Sequence, residues 1–334
     1  MADLNRRRFV QLAGTAMASA ALPAQTSAKP VGARGIPQLG LVVKVMKGGT
    51  AEDTIKHVHD LGIPTCQIFL EELDLGQVAP LMKAAEKYGI EISAVSEHNP
   101  GPRVFDFYHG PPTIGIIPPQ YRRERIDALK LAAHFARTCK VPAIHTHLGF
   151  IPEDPNDAKY AVAVAATREV AESCKEQGVM LLCETGEETP ITMLRLIQDV
   201  GTGNVFVNLD TANLILYGKG NPVDAMDVFG PLVRGTHMKD GLFPTNPHTL
   251  GDEVPIGSGR VDFPTVFKRL EEVHYDRPIT IEREIAGPQQ TADILKSKLY
   301  LQRLIDSTFG APDGRPPSRP SDRSIHPLVP APDR

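Results

Sequence analysis

From Gln38 to Asp306 the chain alternates short apolar runs with longer stretches whose apolar residues recur at helical spacing. The short runs predict strands at Leu39–Val45, Thr65–Phe69, Glu91–Ser96, Ala143–His147, Met180–Glu184, Val205–Asp210, Val233–Met238 and Pro278–Arg283. The longer ones predict helices at Ala51–Leu61, Val78–Tyr88, Tyr121–Cys139, Asp157–Gln177, Pro190–Val200, Val223–Phe229, Asp262–Val273 and Gln289–Asp306. Gly or Pro punctuates most junctions, as in Leu61-Gly62-Ile63-Pro64 and Tyr88-Gly89. Eight strands strictly alternating with eight helices imply a single (β/α)8 TIM barrel. The competing doubly wound sheet lacks support, because no Gly-x-Gly-x-x-Gly turn follows the first strand. Two connections exceed plain turns, Glu97–Gln120 with six prolines and Lys239–Arg260. Both follow strands, on the face where barrels build their sites.

The ends of the chain read differently. Asn5-Arg6-Arg7-Arg8-Phe9-Val10 precedes an Ala-rich apolar run to Leu22 and then Pro23-Ala24. Charge, short apolar core and small residues form an export signal, here of twin-arginine type, assigned to 1–28. The mature protein is therefore expected in the periplasm or otherwise exported. Removing that segment takes away three Arg and one Asp and shifts the net charge from −4 to −6. The barrel is assigned to 29–306. The tail 307–334 carries seven prolines and no apolar periodicity, and reads as a flexible or wrapping extension.

Composition narrows the function classes. With 36 Lys and Arg against 40 Asp and Glu, no basic field exists to hold nucleic acid. Trp is absent and aromatics make up 6%, which disfavours a base-stacking surface. Beyond the signal no run approaches the ~20 apolar residues of a membrane span, so no stable insertion is expected after cleavage. Homo-oligomerisation is left open. Cys66, Cys139, Cys174 and Cys183 are too scattered for a zinc module or a disulfide framework.

The chemistry lies at the carboxyl ends of the strands. Strand five ends Cys183-Glu184, strand six Leu209-Asp210, strand seven Thr236-His237-Met238-Lys239, and strand eight Ile281-Glu282-Arg283-Glu284. In a barrel these ends meet at one rim, with inward positions two residues apart. Glu184, Asp210, His237 and Glu282 then converge, and three clustered carboxylates call for a cation. An oxygen-rich set suits one divalent ion, Mn²⁺ first, with Mg²⁺, Co²⁺ and Zn²⁺ as alternatives. Each residue has a plainer role as well. Asp210 could cap a helix, His237 could be a buried structural imidazole, and Glu284 shares the parity of Glu282 and rivals it. Cys183 should point away from Glu184, into the helix layer.

Here the chain resembles the sugar phosphate isomerase/epimerase family, the xylose isomerase-like barrels. The resemblance rests on Cys183-Glu184-Thr185-Gly186, Asn208-Leu209-Asp210-Thr211-Ala212-Asn213, His237-Met238-Lys239-Asp240, Gly257-Ser258-Gly259-Arg260-Val261-Asp262-Phe263 and Ile281-Glu282-Arg283-Glu284. It implies a metal held by Glu184, Asp210, His237 and Glu282. It also implies isomerisation or epimerisation of a keto-sugar or polyol, by proton abstraction next to a carbonyl through an enediolate. Glu184 and Glu282 are then the base and acid. Lys239 is the candidate for the developing oxyanion, and His98, His147 and Arg260 for substrate oxygens. A lyase or dehydratase acting on 3-keto-glycosides would use the same enolate. The family's endonuclease IV branch is disfavoured, since Asn213 stands where that branch places a histidine and no Asp-x-His follows strand seven. A sugar-binding barrel without catalysis is the remaining reading.

Overall fold

The alternation closes into a barrel. A computed structural model describes residues 35–45, 48–71, 73–97 and 100–310. The assigned export signal, the tail beyond 310 and His98 lie outside the described residues. In chain order the elements are β1 (Leu39–Val45), α1 (Ala51–Asp60), β2 (Thr65–Leu70), α2 (Val78–Tyr88), β3 (Glu91–Glu97), α3 (Pro119–Thr138) and β4 (Ala143–Thr146). There follow α4 (Ala158–Gln177), β5 (Met180–Glu184), α5 (Pro190–Val200), β6 (Val205–Asp210), α6 (Asn213–Leu216), α7 (Pro222–Phe229) and β7 (Val233–Met238). The series ends with β8 (Asp240–Gly241), β9 (Glu253–Val254), α8 (Phe263–Glu272), β10 (Ile279–Ile281) and α9 (Pro288–Thr308). The barrel strands run β1-β10-β7-β6-β5-β4-β3-β2 and close, every barrel pairing being parallel. Among the described residues, no helix is long and apolar enough to cross a membrane.

Sequence chemistry explains the helix boundaries. Gly89, Gly178 and Gly201 take left-handed conformations and close α2, α4 and α5. Pro119 opens α3 two residues earlier than periodicity predicts, because proline is pre-shaped for a first helical position. In α8, Phe263, Val266, Phe267 and Leu270 are buried at helical spacing. Each such side chain contributes roughly 1.5–3 kcal/mol by leaving water. Cys183 is part of this apolar layer, facing away from Glu184.

Three departures from the predicted elements matter for the rim. The eighth barrel strand, β10, spans only Ile279–Ile281, because Arg283 turns out to meet Glu253 and Asp293 at 2.9 Å each. Two helices rather than one join β6 to β7. The first, α6, is nucleated by Asp210 Oδ1, which accepts from the amides of Ala212 and Asn213. The third is the β8–β9 pair, formed inside the connection after β7.

Candidate active site

Four inward positions at the carboxyl rim carry the centre. Register pairs Glu184 with Asn208, and Asp210 with His237, while Glu282 continues β10 by donating its amide to Met238 O. One ligand atom from each of Glu184, Asp210, His237 and Glu282 lies within 4.8 Å of the others, and all four residues are buried. His237 Nδ1 sits 3.1 Å from Glu184 Oε1 and 3.3 Å from Glu282 Oε2. Its Nε2 lies 3.0 Å from Gln67 Oε1. Gln67 Nε2 donates to Asn208 Oδ1 at 3.2 Å, so the Gln67 oxygen is the acceptor for the imidazole. Nε2 thus carries a proton and Nδ1 faces the carboxylates, and an outer partner of this kind orients a ligating histidine. Asp210 Oδ1 accepts from the two amides that open α6, which leaves Oδ2 on the side of the cluster, 3.7 Å from Lys239 Nζ.

The electrostatics call for a cation. Burial pushes the Asp210 carboxyl well above its ordinary value, and Glu282 and Glu184 push it the same way against Lys239. Burial would also raise Glu184, but His147, His237 and His145 outweigh it and hold that carboxyl well below the usual range. His237 loses basicity by burial, yet Glu282 and Glu184 carry it up to about 10. Asp210 Oδ2 is buried without a hydrogen-bond partner, 3.7 Å from Lys239 Nζ, and Glu184 Oε2 beside it is met by the imidazoles of His145 and His147. An orphaned carboxylate oxygen within a buried cluster of three carboxylates and an imidazole fits a divalent ion. Binding such an ion must displace the protons held by His237 and Asp210, so metal affinity should rise with pH. The expected gain is up to about tenfold per pH unit for each proton released. Calorimetric titration with Mn²⁺ in two buffers of different ionisation enthalpy counts those protons, and a count of zero would contradict this charge distribution.

The centre opens into a cavity of about 120 Å³ whose wall includes Phe69, Phe105, Tyr217 and Leu250 beside Glu184 and Glu282. Both long connections contribute, through Phe105 and Leu250. The first is fixed by a fully buried Arg125 on α3, which donates to the carbonyls of Pro100, Pro102 and Gly115. Gly115 in turn lies against the strand-four loop, where a Cβ would stand 1.9 Å from Leu148 O.

The other sequence candidates distribute as follows. His147 reaches the centre, with Nε2 3.0 Å from Glu184 Oε2 and Nδ1 3.0 Å from Glu187 Oε1. Lys239 is buried at the rim, with Nζ 2.6 Å from Glu284, 3.1 Å from Asn213 Oδ1, 3.6 Å from Glu282 and 3.7 Å from Asp210. Glu284 is thus the half-exposed partner of Lys239, whereas Glu282 joins the centre. Arg260 is not brought to the cavity. Asp240 accepts from the amides of Gly257, Gly259 and Val261, and this anchoring turns exposed Arg260 into an outer groove with Lys219 and Phe243. The sequence reading missed His145, whose Nε2 stands 2.5 Å from Glu184 Oε2 and whose Nδ1 meets Ser96 Oγ at 2.6 Å. It also missed Gln67. A lone amide in the run Thr65-Cys66-Gln67-Ile68-Phe69, at a position shared with neither turn nor cap, was the available signal.

Residues 55–304 match the family model described as Xylose isomerase-like TIM barrel. An uncharacterised protein of Methanocaldococcus jannaschii is 22% identical over 198 residues, 55% of this chain and 64% of that protein, so the match spans under two thirds of the relative. The xylose isomerase domain protein of Planctomyces limnophilus has TM-score 0.75 and 27% identity, over 84% of this chain and 100% of that one. A xylose isomerase-like TIM barrel protein of Mycobacterium smegmatis, solved in complex with magnesium, has TM-score 0.62 and 15% identity, over 82% and 98%. An L-ribulose 3-epimerase has TM-score 0.63 and 16% identity, over 84% and 100%. The last two are similar in fold.

Proposed function

The chain belongs to the xylose isomerase-like TIM barrel family, and from that membership and the rim geometry we propose a metal-dependent isomerase or epimerase of keto-sugars or polyols. The observation that carries this reading is the convergence of Glu184 and Glu282 on His237, with Asp210 completing the set. Glu184, Asp210, His237 and Glu282 would hold the ion, Mn²⁺ by our reading, which when bound polarises a carbonyl and stabilises enediolate charge. Glu282 and Glu184 then serve as the proton-moving carboxylates, one removing the proton α to the carbonyl and the other returning it. Return to the same carbon from the other face gives an epimer, and return to the neighbouring carbon gives an isomer.

Lys239 supplies a fixed positive charge beside Asp210 and Glu282 and is suited to a substrate oxyanion. His147, held between Glu184 and Glu187, is placed to contact a hydroxyl. Phe69, Phe105 and Leu250 restrict water at the cavity wall. Nuclease activity is not proposed: Asn213 Nδ2 donates to Glu184 Oε1 at 3.2 Å and does not add a metal-binding imidazole. Export through the Arg6-Arg7 signal is part of the same proposal. The test is NMR of keto-sugars, polyols and 3-keto-glycosides incubated with protein before and after chelator treatment. Chelator-sensitive interconversion of epimers or isomers supports the assignment, and accumulation of an unsaturated product would replace it with the lyase reading. No turnover of any sugar by metal-replete protein would favour a non-catalytic barrel.

A further inference from the structure

The cavity wall is divided by charge. Its acidic groups, Glu184, Glu282 and Glu284, stand on or directly after β5 and β10. The arc β1–β3, which closes the barrel between β10 and β4, contributes two cations instead, Lys44 near the end of β1 and Arg103 in the connection after β3. Neither cation has a carboxylate partner among the described residues, whereas Lys239 in the same cavity sits beside three carboxylates. Lys44 has an aromatic neighbour, and the backbone around Arg103 is held. The Lys44 ammonium lies 5.6 Å over the Phe69 ring. The backbone on either side of Arg103 is fixed, as Pro102 O accepts from Arg125 and Val104 N donates to Thr113 Oγ1. The loop beyond is tied by Asp106, which accepts from the amides of Tyr108, His109 and Gly110.

Two cations without a carboxylate partner among the described residues, at the edge of a cavity with an acidic floor, suit an occupant that brings an anion to them. We propose that Lys44 and Arg103 form an oxyanion subsite, so that the substrate is a keto-sugar bearing a carboxylate or phosphate remote from its carbonyl. The carbonyl end would meet the carboxylate–imidazole centre on the β5–β10 side, and the anionic end would meet the cations on the β1–β3 side. The word substrate rests on the function proposed above; the subsite itself rests on the two cations and is tested by binding alone.

The test is calorimetric titration of metal-replete protein with D-glucose, D-glucuronate and D-glucose 6-phosphate, for wild type and the Lys44→Met/Arg103→Met double variant. Wild type should bind at least one anionic sugar about tenfold or more tightly than glucose, as charge-assisted hydrogen bonds require. The preferred anion identifies carboxylate or phosphate, and added NaCl should erode the preference. The double variant should lose the preference while keeping its metal content and its affinity for glucose. Equal binding of neutral and anionic sugars by wild type, no binding of any of the three, or equal weakening of all three in the variant would overturn the subsite. Failure of every keto-sugar to react would sink the catalytic reading and leave this titration as decisive as before.

Discussion

Incubation of metal-replete protein with its keto-sugar in D₂O should place deuterium on the carbon next to the carbonyl, and Glu282→Gln should suppress that exchange by about 10²–10⁴-fold. The expectation follows from geometry. Glu282 and Glu184 flank His237 Nδ1 at 3.3 and 3.1 Å, so either carboxylate can reach a substrate held at that point. His237 and Lys239 overcome burial to keep Glu282 well below the usual carboxylate range, so it is ionised at neutral pH. Gln is nearly isosteric but has no basic oxygen. Epimerisation, isomerisation and stepwise elimination all pass through the same enediolate, so the label appears whichever product forms. Label transferred intact from the substrate's own carbon to the product, with none from solvent, would refute proton abstraction and indicate a hydride shift.

The second large effect concerns metal retention. His237→Ala and Asp210→Ala should lose the ion on dialysis, because each removes one of four buried donors and leaves the others mutually repelling. Glu284→Ala should retain it, since that carboxylate is half exposed and its contact is with Lys239. Gln67→Leu offers a graded case. It touches no metal donor atom other than through His237 Nε2, and the loss of an orienting partner of this kind costs about 10–100-fold in metal affinity. Metal content by elemental analysis after dialysis against chelator ranks the four variants. Loss of metal from Glu284→Ala with retention in a Glu282→Ala control would move the strand-eight ligand by two residues and break the proposed site.

Much of this protein is legible without a structure, for reasons that lie in local periodicity. The limits of β1, β5, β6 and β7 coincide with the apolar runs because most of their residues are buried, whichever face of the strand they occupy. Inward parity then follows from the two-residue repeat of a strand; it points to Glu184, Asp210 and His237, separates Glu184 from Cys183, and leaves Glu282 and Glu284 equivalent. What no local pattern contains is which side chains from distant strands face one another. Whether Glu282 or Glu284 completes the centre depended on where β10 stops, and the pairing of Arg283 with Glu253 and Asp293 decides that. Gln67 and His237 are 170 residues apart, and their contact exists only because the barrel closes β2 opposite β7. Arg260 follows two glycines that suggested a substrate loop, but the buried Asp240 gathers that loop by its amides and faces the arginine outward. The strands and their inward faces were thus determined by short-range spacing, while the orientation of the histidine, the third carboxylate and the position of Arg260 were decided by long-range hydrogen bonds and ion pairs that form only when the barrel closes.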